Sequence, residues 1–264
     1  MSAAESAGAT SLSWRTSLAI LQLGGSVVQP ADGCLVVRTP ENPGYRWGNC
    51  LVVTSGDVDD ADGWLSVFAR EFPEARYRAI GLPRAPSPGV WEGRGLSVEP
   101  ERTLTTRVPI AASPLPDGYT VVPVRGDAWS GVLAVTCADG PDKPTFRDFA
   151  RRRTDSERGL VEAGQAEWFA ALGPDGAVVS SLGIVALGPV ARFQSVVTVD
   201  AHRRRGLARH LLGVASRWAF DRGAGELVIV ADEGQAGDRL YRRAGFVPGR
   251  IEYSVGAAVW PVPA

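Results

Sequence analysis

Along the second half of the chain the spacing of apolar positions changes period at a few marked places, and these define the expected elements. Val196-Val197-Thr198-Val199 is a β-branched run and predicts a strand. A polar turn follows, and then Leu207, Leu211, Val214, Ala215 and Trp218 recur at helical spacing, a stripe suited to packing on a sheet. Gly223 and Gly225 end that helix. Residues 226–231 are apolar without alternation, as expected of a central strand buried on both faces. A short helix over residues 236–244 is stopped by Gly245, and Phe246 with residues 251–260 returns as strand. Upstream, residues 119–124 predict a strand and residues 144–163 a long helix with Phe146, Phe149 and Leu160 on its apolar side. Residues 167–172 and 177–185 flank Gly173-Pro174-Asp175-Gly176 and predict a hairpin. The second half thus reads β-α-β-β-β-α-β-α-β.

The first half opens similarly. Residues 1–13 are small and polar and predict a frayed end, with an amphipathic helix from Trp14 through Leu18 and Leu21. Residues 34–37 and 47–53 predict a strand pair across the turn-rich Thr39-Pro40-Glu41-Asn42-Pro43-Gly44. Acidic residues at 59–62 precede a helix from Trp64 to Arg70 that stops at Phe72-Pro73. Residues 76–80 predict a strand, and residues 95–98 and 103–105 a pair of short ones. Residues 108–118 hold Pro109, Pro114, Pro116 and Gly118, and form the expected linker. The expectation is a mixed α/β chain of two domains, residues 1–112 and 113–264.

Bulk properties narrow the function classes. A chain of 264 residues, 45% apolar and 22% charged, is ordinary for one or two globular domains. Its net charge of −1 supplies no overall field for nucleic acid. The apolar run at Leu18-Ala19-Ile20-Leu21 is too short for a membrane span or signal core, so a cytoplasmic protein without a membrane partner is expected. Cys34, Cys50 and Cys137 lack metal-ligand spacing, and the histidines are only His202 and His210, so no metal site is expected. Neither G-x-S-x-G, nor a Walker-type loop, nor G-x-G-x-x-G occurs, which removes most support for hydrolase, phosphate-loop and dinucleotide readings.

What remains is the turn between strand and helix, Asp200-Ala201-His202-Arg203-Arg204-Arg205-Gly206. The first amides of a helix lack intrahelical partners, so a strand that delivers the chain into a helix N-terminus builds an anion site. Gly206 removes the Cβ that would keep a phosphate away. Three consecutive arginines are also what an ordinary solvated basic turn contains. The glycine and the amphipathic helix behind it favour the anion site. Nucleic acid is disfavoured, because no aromatics interleave with the arginines.

Here a family resemblance enters. Arg203-Arg204-Arg205-Gly206-Leu207-Ala208 is similar to the (Q/R)-x-x-G-x-(G/A) signature of the GCN5-related N-acetyltransferases, the GNAT superfamily. Leu240-Tyr241-Arg242-Arg243-Ala244-Gly245-Phe246 resembles that family's L-Y-x-x-x-G-F segment, in the expected order of strand, turn, helix, strand, helix. The resemblance covers about residues 119–253. Thr39-Pro40-Glu41-Asn42-Pro43 through Trp47-Gly48-Asn49 looks like the degenerate first domain of tandem members.

The resemblance implies two tandem acyl-CoA N-acyltransferase-like domains, the second complete, with acetyl-CoA as cofactor. Amides from Arg204 to Arg209 would cradle its pyrophosphate, an arginine side chain adding a charge-assisted bond. Val196, Val197 and Thr198 would hold the pantetheine arm through backbone groups, where family members splay this strand from the next. Tyr241 would protonate the leaving thiolate. The cofactor-binding residues expected are therefore Val196, Val197, Thr198, Arg203, Arg204, Arg205, Gly206, Leu207, Ala208 and Arg209. Family members often carry asparagine seven positions and alanine four positions before the tyrosine. Here Gly234 and Gly237 stand there, which puts one side-chain contact to the cofactor in doubt.

The base that takes the amine's proton is not named by the sequence. Val197 occupies the strand position where relatives carry glutamate, and Glu167, Asp232, Glu233 and His202 are candidates. The acceptor expected is a primary amine on a small molecule, attacked directly in a ternary complex, with the first domain packed on the second to shape its cleft. The oligomer is left open between monomer and homodimer. A non-catalytic acyl-CoA sensor and a nucleic-acid-binding turn are the rival readings.

Overall fold

Ser11 begins the part of the chain that the computed structural model describes, residues 11–256. Its Oγ accepts the Trp14 N–H at 3.2 Å, which starts α1 at Leu12 (Leu12–Leu23). Residues 11–13, expected to belong to a frayed end, are therefore the cap and first residues of this helix, and residues 1–10 lie outside the described ones. β1 (Val27–Ala31) and β2 (Cys34–Arg38) follow as an antiparallel pair with Ala31 opposite Cys34. The two-residue loop is Asp32-Gly33, with Gly33 at φ +70°. That is the Asp-Gly chemistry of a tight hairpin, and it reveals a strand not anticipated from the sequence.

β3 (Cys50–Val53) pairs antiparallel with β2 as expected, but Arg46–Gly48 is a 3₁₀ turn and not strand. Asn49 explains the loop between them. Its Oδ1 accepts the Thr39 N–H at 2.9 Å, and its Nδ2 donates to Asn42 O at 3.0 Å and Tyr45 O at 2.9 Å. Thr39 Oγ1 adds a bond to Gly48 O at 2.7 Å. The Thr39–Asn49 motif is thus a loop stapled by the side chains of Asn49 and Thr39.

α2 (Ala61–Glu71) is capped by Asp60, which accepts from Gly63 N–H, and β4 (Ala79–Leu82) runs parallel to β3. β5 (Ser97–Thr106) is one strand of ten residues where two short ones were expected. Then come β6 (Thr120–Pro123), α3 (Ala128–Asp139), α4 (Pro144–Glu162), β7 (Ala166–Leu172), β8 (Val178–Leu187) and β9 (Val190–Thr198). A 3₁₀ turn (Asp200–His202) leads into α5 (Leu207–Asp221), followed by β10 (Glu226–Asp232), α6 (Ala236–Ala244) and β11 (Val247–Gly256). The strand expected to reach residue 260 is seen to Gly256, and its remainder lies outside the described residues.

The described chain divides into two compact units. One holds residues 11–103, 230–235 and 249–256, with strand order β1-β2-β3-β4-β11. Its core joins Leu51, Ile80, Leu82 and Val255 to Phe68 of α2 and to Trp91, all fully buried. The other holds Leu104–Ile229 and Ala236–Pro248, with order β10-β9-β8-β7-β6. In it β9 and β10 are parallel and the other neighbours antiparallel, so both units carry mixed sheets with helices, an α/β fold. The order here is β-α-α-β-β-β-α-β-α-β, one helix more than expected. That helix, α3, is apolar around most of its circumference and shows no clear stripe, although Trp129, Val132 and Val135 are its buried positions.

Residues 107–118 contain no helix or strand, as their prolines dictate, yet they do not hang free. Ile110 is buried and its N–H donates to Ser216 Oγ of α5 at 2.9 Å. Ser113 Oγ donates to Gly206 O, and His210 Nδ1 donates to Ser113 O at 2.6 Å. The expected linker is therefore a strap bound along α5.

Candidate functional site

The basic turn is shaped by its backbone before any side chain acts. After the 3₁₀ turn, His202 N–H bonds Val199 O at 2.8 Å. Arg204 and Gly206 then adopt φ +61° and +82°, two left-handed residues that swing the chain into α5. Glycine takes such a conformation without cost, which is why Gly206 can serve as N-cap. The first helical N–H to reach a carbonyl is that of His210, on Gly206 O at 2.9 Å. The amides of Leu207, Ala208 and Arg209 precede it, without acceptors inside the helix, at the positive end of a fifteen-residue dipole.

The arginines of the turn divide their labour. Arg203 Nε donates to Thr198 O at 3.0 Å, and its NH2 meets Asp139 at 2.7 Å and Asp200 at 2.8 Å. Its charge is thus committed to latching the turn to α3. Arg204 and Arg209 make no ion pair among the described residues, and Arg209 Nε is buried without a partner. An unpaired buried guanidinium N–H is costly unless an acceptor arrives. His202 Nδ1 lies 2.9 Å from the Tyr119 hydroxyl.

These groups open on a cavity of about 550 Å³. β9 contributes Val196, Val197 and Thr198, and the turn and α5 contribute His202, Arg203, Arg204, Gly206, Leu207, Ala208 and Arg209. α6 adds Tyr241, Ala236, Gly237, Arg239, Leu240 and Arg243, and α3 adds Asp139. Nine of the ten expected cofactor-binding residues line it. Arg205 does not, and its side chain is exposed. Arg239, Arg243 and Asp139 were not anticipated. Spacing could have shown the first two, since Arg239 and Arg243 bracket Tyr241 on the same helix. Asp139 carries no local signal, because its role depends on where α3 ends.

β9 also offers backbone. Its pairing with β10 covers only Val190–Arg192 against Glu226–Val228, while β9 runs on to Thr198. On the other edge Ser180 Oγ donates to Val197 O at 2.9 Å. Beyond Arg192 the strand is therefore held by β8 and has no β10 partner on its other edge.

Tyr241 is buried at 7% exposure and packs edge-on to Phe246 with ring centroids 6.0 Å apart. Of the four candidate bases only His202 lines the cavity. Glu167 is buried in a two-point pair with Arg125, at 2.5 and 2.8 Å. Glu233 pairs with Arg102, and Asp232 is exposed. Gly234, where relatives often have asparagine, has φ +72°. Among the described residues no cluster of His, Cys, Asp or Glu could hold a metal ion, and no helix is long and apolar enough to cross a membrane.

Residues 136–246 match the model of the Acetyltransferase (GNAT) family. A comparison with curated proteins finds no match. Among solved structures, the chain is similar to a GCN5-related N-acetyltransferase from Kribbella flavida, with TM-score 0.62 and 17% identity over 96% of this chain and 98% of that one. A functionally unknown conserved protein from Staphylococcus epidermidis gives TM-score 0.69 at 12% identity, over 87% and 92%. A tandem GNAT protein from the clavulanic acid biosynthesis pathway gives 0.54 at 14%, over 90% and 86%. At such identities these structures speak for the fold alone. Residues 136–246 thus carry a domain that matches the GNAT acetyltransferase family model, and the fold over nearly the whole chain is similar to that of a tandem GNAT structure.

Proposed function

We propose that the protein is an acetyl-CoA-dependent N-acetyltransferase acting on a primary amine, most simply that of a small molecule, by direct attack in a ternary complex. Residues 113–264 would form the catalytic domain and residues 1–112 a degenerate copy. We place the reaction in the cytoplasm and leave the choice between monomer and homodimer to measurement. One observation carries the reading: outward helix amides, Arg209, an unpaired strand edge and Tyr241 line one cavity. That set fits a ligand with a diphosphate at one end and an amide-bearing arm leading to a reactive thioester.

When bound, acetyl-CoA supplies the activated acyl group. The amides of Leu207, Ala208 and Arg209 and the guanidinium of Arg209 hold the diphosphate by charge-assisted bonds. The peptide groups of Val196, Val197 and Thr198 orient the arm as an added strand would be oriented. Tyr241 holds a proton at its hydroxyl for the departing sulfur, because a thiolate leaves more easily when protonated as it forms. His202 is the one candidate base on the cavity, acting directly or through water on the amine.

The test is CoA release measured over a panel of amines, beside calorimetric binding of acetyl-CoA. Turnover on one amine supports the transferase. Tight binding without turnover on any amine would instead favour a sensor, a reading supported by the shortage of carboxylate bases on the cavity. Tyr241→Phe should lower kcat about 10²-fold, the lower end of what a positioned proton donor contributes, and leave acetyl-CoA affinity within threefold. Parent-like turnover in that variant would exclude the proton-donor role.

A further inference from the structure

β9 contains a backbone conformation that a regular strand does not need. Ser195 has φ +52°, in the left-handed region that residues other than glycine seldom occupy. The pairing with β8 shows why: Val197 stands opposite Ser181 and Gln194 opposite Gly183, so Ser195 and Val196 both face Leu182. This is a bulge, and a bulge bends its strand and re-aims the residues beyond it. It sits between Arg192, the last residue paired to β10, and Val196–Thr198 on the cavity wall.

The bulge is held from α4. Ser195 Oγ donates to Glu157 Oε1 at 2.6 Å and accepts from Arg153 NH2 at 3.0 Å. Arg153 Nε also bonds Glu157 Oε1 at 3.1 Å. The other acids of this helix, Asp148, Asp155 and Glu162, pair with arginines at the surface. Glu157 alone among them is buried. Burying a carboxylate is unfavourable unless it is paired and hydrogen-bonded, and here both partners serve one strained serine.

We propose that Glu157 and Arg153 are positioning residues for the acyl-bearing arm of the cofactor. Through Ser195 they fix the bulge, and so set the direction in which the peptide groups of Val196, Val197 and Thr198 meet a ligand. The proposal rests on the reading of the cavity as an acyl-CoA site.

The experiment compares calorimetric binding of acetyl-CoA with that of ADP, which has the diphosphate but no arm, in the parent chain, Glu157→Gln and Ser195→Gly. Glycine adopts this φ freely, so Ser195→Gly removes the hydroxyl while keeping the backbone, and carries the test alone if Glu157→Gln does not fold. Acetyl-CoA should bind about tenfold more weakly to the variants, as for loss of one charge-assisted hydrogen bond, with ADP binding within twofold of the parent. An unchanged ratio of the two affinities, whether both stay or both fall, overturns the positioning role while leaving the cofactor reading intact. A parent chain that binds neither ligand overturns both.

Discussion

Arg203 illustrates how one residue's contacts decide its role. A signature arginine beside a phosphate-shaped turn invites the reading of a phosphate ligand, yet its guanidinium is already shared between Asp139, Asp200 and Thr198 O. Its partner Asp139 is about half exposed, so the pair itself contributes roughly 0–1 kcal/mol to stability. What the pair fixes is the path of the turn. Asp139→Asn should therefore leave the melting temperature within about 2 °C while weakening acetyl-CoA binding several-fold, by calorimetry. An equal loss of both would make Asp139 a stability residue. The cysteines allow a second test at this scale. Burial, reinforced by Glu71, pushes the Cys34 thiol up to about 11, and burial alone pushes Cys50 higher still. Cys137 is raised by burial too, but is only partly buried. At pH 8 a thiol reagent should label Cys137 first, with Cys34 and Cys50 reacting only on unfolding, because the thiolate is the nucleophile and must be reachable. Early labelling of Cys34, read by mass spectrometry, would contradict the burial argument.

Among the elements, those with a strong one-sided pattern are legible in the sequence and those defined by partners are not. α5 matches its leucine stripe, α6 stops at Gly245, and the β7–β8 hairpin turns at Pro174, Asp175 and Gly176. α3 lacks a stripe, β1 is a short exposed strand recognisable only from Asp32-Gly33, and β5 continues through Pro100, which a local rule treats as a break. At the site, the turn and Tyr241 are legible because they are local motifs. Asp139 and the Ser195–Glu157 contact join distant stretches of chain, and single-sequence spacing holds no record of that. The strap of residues 107–118 reads as a linker for the same reason. Its docking depends on Gly213, where a Cβ would fall 2.5 Å from Ala112 Cα. Gly213→Val should cost about 1–3 kcal/mol, as overpacking does, and lower the melting temperature, since neither the strap backbone nor the helix can give way cheaply. Parent-like melting would mean the strap can lift from α5.

At the scale of the whole molecule, four carboxyls held below their usual range contribute to the response to acid. Glu71 is depressed by hydrogen bonding to Arg70 and then Arg38, Asp62 by Arg94, and Asp148 by Arg152 and Arg151. Asp59 is depressed by the hydroxyl and amide of Ser87. In each case the folded value lies below the unfolded one of about 4, so the unfolded chain binds protons first as pH falls. Their stabilisation is thus fully present above about pH 5 and is lost as pH drops through 4 toward the folded values. The melting temperature should be flat from pH 8 to 5.5 and decline below about 4.5, as scanning calorimetry would show. A decline already present between pH 7 and 5.5 would assign the sensitivity to other groups. Salt separates the contributions further. Asp62 and Asp148 are exposed, so at about 1 M NaCl, where the screening length is ~3 Å, their arginine-based depressions should shrink. The Asp59 depression comes first from Ser87, which carries no charge, and only then from the Arg84 charge, so its larger part should persist. Replacing Ser87 with alanine in high salt should then remove much of the remaining acid-linked slope, while the same change at low salt removes only one part among several.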